Sequence, residues 1–217
     1  MTTFPGSPRL LKGGIVLLDP DTSAVLRIIP LQYNPDTMTR SLQVKGAGPE
    51  SGDRLEALRL KGPPVETIKL DAEIDATDLL ETADSQATQV GLHPVLAALE
   101  IMVYPTSARL IANNSQASTG TLEILPAQTF LTVFIFGPNR IAPVRITEFS
   151  ITEEAFDTSL NPIRAKVSLG IRVLSVDDLG FEAKGGGLFM TYLQAKERLA
   201  SQSMGGSFGA LGISGIP

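Results

Sequence analysis

The chain has 217 residues, of which 43% are hydrophobic and 19% charged, with 18 lysines and arginines against 23 aspartates and glutamates and a net charge of -5. That is enough apolar bulk for one large domain or two small ones, so a disordered tail is excluded, and without basic runs interleaved with aromatics nucleic acid is disfavoured as a partner. Cysteine is absent, which removes disulfides, thiolate metal sites and cysteine nucleophiles together.

Residues 1–13 form a Pro/Gly-rich leader with no uninterrupted apolar core. The apolar runs elsewhere fall far short of the ~20 residues a membrane helix needs. The expectation is a soluble protein made in the cytoplasm, without membrane insertion. Gly14 to Leu18 and Ala24 to Tyr33 are β-rich and flank the turn signal DPDTS, which predicts a first hairpin. Pro30 cannot donate to a ladder, so its strand belongs at an edge or bulges there. A Tyr33-Asn34-Pro35 corner leads into a third strand, Thr37 to Val44, and the polar, Gly/Pro-rich residues 45–64 read as a long inserted loop.

From Val65 to Asp75, Ile68, Leu70, Ala72 and Ile74 alternate with Lys69, Asp71, Glu73 and Asp75, the pattern of a half-buried strand. A helical insertion over 78–126 follows. Asp78 to Gly91 has helical composition. His93 to Tyr104 is apolar nearly all round, with Pro94 in its first turn, and such a helix needs cover on most sides. Ser107 to Leu125 reads as a loop. Thr129 to Phe136 carries apolar residues on both parities, so it is either central to the sheet or pressed against another subunit.

The organising element is a hairpin within Ile141 to Val176. Ile163, Ala165, Val167, Leu169, Ile171 and Val173 alternate with polar residues, giving a long strand with one dry face. In the preceding strand Val144 and Ile146 share one parity and Phe149 and Ile151 the other, so a bulge near Thr147 is required to put all four on the core side. Asp157, Ser159, Asn161 and Pro162 form the tip. Glu148 and Glu154 are expected to meet Arg164, Lys166 and Arg172 on the outer face. The β domain thus spans 14–178. Asp177, Asp178, Gly180 and Gly185 to Gly187 then mark a flexible break before a helix, Leu188 to Ala200, and a Gly/Ser-rich tail, the whole C-terminal part covering 179–217.

Chemistry finds little footing. A single His93 is a poor ligand set. Asp71, Glu73 and Asp75, or Asp19 and Asp21, lack the spacing of a calcium loop and read as a solvated or subunit-facing stripe and a plain turn. Gly185 to Gly187 lack the Lys-Ser/Thr of a phosphate loop, and no G-x-S-x-G elbow exists. The expectation is no enzyme, no cofactor and no metal.

LRIIPLQYNPDTMTRS and PVRITEFSITEEAFDTSLNPIRAKVSLGIRVL together resemble the contractile injection system tube protein family. Tyr33, Asn34, Pro35, Thr37, Met38 and Arg40 match its corner before Ser/Thr-Leu/Met-x-Arg, and Phe156 to Pro162 match its late hairpin tip. The resemblance covers roughly 15 to 175 and implies a mainly β fold, a two-sheet sandwich or barrel-like tail-tube domain with one or two helices and α+β insertions. It also implies a homo-oligomer in sixfold rings, with tube subunits, a spike protein and other baseplate proteins as partners, carried in a particle that stays in the cytoplasm or is released. Many relatives continue into a peptidoglycan-binding LysM module, for which no counterpart is expected here.

Principal tube subunits are usually shorter, so the insertions imply a baseplate or hub subunit that initiates the tube and adapts it to the spike. An ordinary inner-tube subunit and a ligand-binding β-sandwich are the alternatives. A ring needs two complementary surfaces on each subunit, and the acidic stripe Asp71, Glu73, Asp75 with the basic stripe Arg164, Lys166, Arg172 supplies the candidate halves.

Overall fold

A computed structural model describes residues 11–46, 59–118 and 129–216. Its long hairpin follows from the alternation above. β6 (Ile141–Phe156) and β7 (Pro162–Val173) pair antiparallel, with Ile146 opposite Ile171 and then Glu148 opposite Gly170, so Thr147 is the extra residue of a bulge. The Thr147 hydroxyl donates to the Gly170 carbonyl at 3.1 Å. At the tip the Asp157 carboxylate accepts from the amides of Ser159 and Asn161 at 2.7 and 2.8 Å.

β1 (Gly14–Leu18), β2 (Val25–Pro30), β3 (Met38–Gln43), β4 (Val65–Asp75) and β5 (Leu131–Ile135) join the hairpin in one antiparallel sheet of seven strands, ordered β2-β1-β5-β6-β7-β4-β3. Pro30 lies on the outermost strand, where a missing donor costs nothing. β5 sits third in the order and is buried on both faces. The resemblance implied two sheets; the described strands form one, and it is curled. Just past β2, the Gln32 amide donates to the Asp75 carbonyl at 2.6 Å and accepts from the Asp75 N–H at 2.9 Å. In a flat sheet β2 and β4 stand about 24 Å apart, from five steps of about 4.8 Å, so this contact requires a roll.

The dry face, with Ile68, Ala142, Val167 and Ile171 fully buried, is covered by α3 (His93–Glu100) through Leu92, Leu96, Leu99 and Met102. A smaller cluster on the opposite face, Leu18, Leu131 and Val133, packs against Leu179 and Leu188. These come from α5 (Val176–Leu179) and α6 (Lys184–Ser201).

The mainly β class with inserted helices is as expected, but the helices outnumber the expected one or two. α1 (Thr77–Glu81) and α2 (Ser85–Val90) precede α3, and Ser107–Ser118 is a twelve-residue helix, α4, where a loop was expected. Asn113 and Asn114 weaken helix propensity without breaking it, and neither Gly nor Pro interrupts the run. Gly185 to Gly187 form the first turn of α6 rather than a flexible break. A side chain on Gly186 would collide with the Gly180 carbonyl and one on Gly185 with Leu179, so the run permits close packing of α6 on α5. Residues 47–58, most of the expected long loop, lie outside the described residues, as do 119–128. No helix among the described residues is long and apolar enough to cross a membrane.

Candidate assembly surfaces

The predicted acidic and basic stripes do not form two separate surfaces. β4 pairs with β7 so that Asp75 lies opposite Arg164, Glu73 opposite Lys166 and Asp71 opposite Ser168, because the same alternation that dries one face of each strand sends their polar residues to the other. Arg164 Nε donates to Asp75 at 2.9 Å, Lys166 Nζ lies 3.4 Å from Asp71, and Ser168 donates to Asp71 at 2.6 Å. Arg172 pairs with Asp178 at 2.7 Å, across the turn that follows β7. As complementary halves of a contact between copies, the two stripes therefore already have partners in their own chain.

Glu154 faces Arg164 as expected, whereas Glu148 turns elsewhere. Its neighbour on β7 is Gly170, whose missing side chain lets the carboxylate cross that strand and reach Lys69 of β4 at 2.7 Å. The Ser168 hydroxyl, with Lys166, holds the Asp71 carboxyl below its usual range, and bonds from the Thr77 hydroxyl and amide do the same for Asp75. Asp75 in turn raises the Arg164 guanidinium. Burial pushes Asp178 up, but the Ser175 amide and Arg172 outweigh it and leave the group lowered.

A second cluster joins β4 to α6. Glu66 occupies the dry parity of β4, alongside Ile68 and Leu70, and is 4% exposed. A carboxylate at that parity needs partners. It accepts from the Tyr192 hydroxyl at 2.9 Å and Lys196 at 2.6 Å, with Arg40 at 3.6 Å. Lys196 also lies 4.1 Å from the centre of the Tyr192 ring. Burial, then the hydrogen bond to Glu66, raises the Tyr192 phenol. The cluster ties α6 to the start of β4.

Part of the exposed surface is apolar. β2 presents Val25, Leu26 and Ile28 to solvent along an edge that no further described strand joins, and Leu42, with Val44 and Leu60 beside it, lies at the β3 edge. α3, expected to be covered on most sides, is covered on one: Val95, Ile101, Val103 and Tyr104 of the helix and its C-terminal turns remain exposed. Between β2, α1 and α3 a groove of about 560 Å³ opens onto the dry face.

His93 lies at the exposed start of α3. Among the described residues no three histidines, aspartates or glutamates are grouped to hold a metal. No family model matches the chain, and no curated protein matches it.

Proposed function

We propose that the chain is a structural ring subunit, and specifically a baseplate or hub component of a contractile injection system that initiates the inner tube and adapts it to the spike. The observation that carries this reading is the pair of edge strands, β2 and β3, at opposite ends of one curled sheet, neither joined by a further strand among the described residues: β2 exposes an apolar row and β3 a polar one that includes Leu42. A ring requires each subunit to offer two different surfaces related by a closing rotation. Unpaired edges bearing Val25, Leu26 and Ile28 on one side and Leu42 on the other meet that requirement, and uncovered they are a liability in a monomer. The charged face supports the reading from the opposite direction, since its carboxylates and cations pair with one another instead of converging on a substrate-sized site. The place in an injection particle rests on the resemblance of residues 15 to 175.

Electron microscopy of the purified protein tests the reading. Discrete rings are expected. Long stacked tubes would favour the principal tube subunit, and monomers at every concentration would overturn assembly altogether.

A further inference from the structure

We infer that α6 is a strap that lifts off the sheet as a unit while every strand stays paired, and that Glu66 is the latch that sets how often it lifts. The inference does not depend on the ring reading. α6 follows the last strand and is joined to it through α5, so no ladder of the sheet runs through it. Its apolar hold is short. Beyond the glycine turn Phe189 and Tyr192 are buried, with Met190 and Leu193 half-buried beside them, and from Glu197 onward the helix is exposed. The C-terminal arm, residues 202–216, is exposed throughout and so does not pin the end of the helix.

What completes the hold is polar. The other side chains at the parity of Glu66 on β4 are apolar, namely Ile68, Leu70, Ala72 and Ile74. Among the described residues, both donors that bond the Glu66 carboxylate, the Tyr192 hydroxyl and Lys196, belong to α6. An aliphatic side chain at position 66 would oppose opening, since lifting the helix would give it back to water. A carboxylate is the reverse case. Enclosed, it loses hydration that its donors must replace, and uncovered, it regains water. Glu66 therefore narrows the free-energy gap between the closed and the lifted helix.

The lifted state is also provided for. Arg40 lies on β3, 3.6 Å from the Glu66 carboxylate, and both residues belong to the sheet. When α6 leaves, the carboxylate keeps a counter-charge beside it as well as solvent. The tight end of the helix is the other one. Gly186 rests against the Gly180 carbonyl and Gly185 against Leu179. That first turn stays on α5 as the pivot, and the turns that carry Phe189, Tyr192 and Lys196 lift together.

Native-state amide hydrogen exchange of the full-length chain, followed by NMR, tests this. The amides of Met190 to Lys196 are expected to share one opening constant, at least about tenfold larger than that of β4 and β7. Glu66→Leu/Tyr192→Phe makes the contact apolar and leaves Lys196 free to reach solvent; it is expected to lower the α6 opening constant about tenfold. Lys196→Met strands the buried carboxylate and is expected to raise that constant by a similar factor. A constant that climbs steadily toward the end of the helix is fraying, and overturns opening as a unit. So does exchange of α6 in step with the sheet in the native protein. If β4 and β7 respond to the two variants and α6 does not, its opening leaves the Glu66 contact intact and the latch is overturned. Should one variant fail to fold, the native profile and the other variant still decide.

Discussion

The polar face of β4, β6 and β7 and the apolar margin formed by β2, α3 and the C-terminal arm differ in what they leave unmet. On the polar face Asp71, Asp75, Glu148 and Arg172 have partners within 3.4 Å in the same chain. On the margin, Ile28, Val95 and Leu211 have no cover. Charge that is satisfied at home fixes register and contributes little to recognition, since exposed pairs are worth about 0.2 to 1 kcal/mol each. Uncovered aliphatic surface is where association free energy remains available.

The contrast can be broken most severely at α6, which packs on α5 and adds Phe189 and Tyr192 to the main core. Gly186→Ala drives a methyl into the Gly180 carbonyl and is expected to cost about 3 kcal/mol, seen as a fall of roughly 6 to 12 °C in Tm for a chain of this size. Ile28→Glu, at the exposed β2 edge, is expected to leave Tm nearly unchanged while abolishing rings in sedimentation velocity; a large loss of Tm with intact rings would reverse the assignment of that edge.

The double reversal Arg164→Glu/Lys166→Glu sets like charges across the β4–β7 ladder. It is expected to lower the urea midpoint slightly, since like charges directly opposite one another destabilise a ladder, and to leave rings intact. Loss of rings with the monomer still folded would return the contact to the charged stripes.

The smallest effect is a pH dependence. Asp71, Asp75 and Asp178 titrate lower folded than unfolded, so their contribution is present above the ordinary aspartate value of 3.8 and is lost as the pH falls through their lowered folded values. Tyr192 runs the other way. Its raised phenol stabilises the fold below the ordinary value of 10.0 and ceases to do so as the pH rises through the folded value. Urea midpoints across pH are expected to fall at both ends, and Tyr192→Phe is expected to remove the alkaline fall only.

Much of the sheet was legible because its strands are half-buried: alternation in β4 and β7 and the parity break at Thr147 each have a single geometric solution. α4 was obscured by its two asparagines, and the glycines of α6 carried no sign that close packing, rather than freedom, explains them. Alternation shows the stripes as faces but not that they share one surface, since one strand's periodicity does not reveal its neighbour. Glu66 is a visible clue to the second cluster, a carboxylate on the dry parity whose partners Tyr192 and Lys196 lie more than a hundred residues away.

The roll of the sheet is fastened at Gln32 by a side-chain amide that imitates one residue of backbone. Among the described residues two hydrogen bonds make that clasp, each worth about 1 kcal/mol net, whereas every neighbouring seam is a full ladder. Beneath the clasp Ile29, Leu31 and Ile74 share the core, so opening along this line is expected to expose them while all seven strands stay paired to their neighbours.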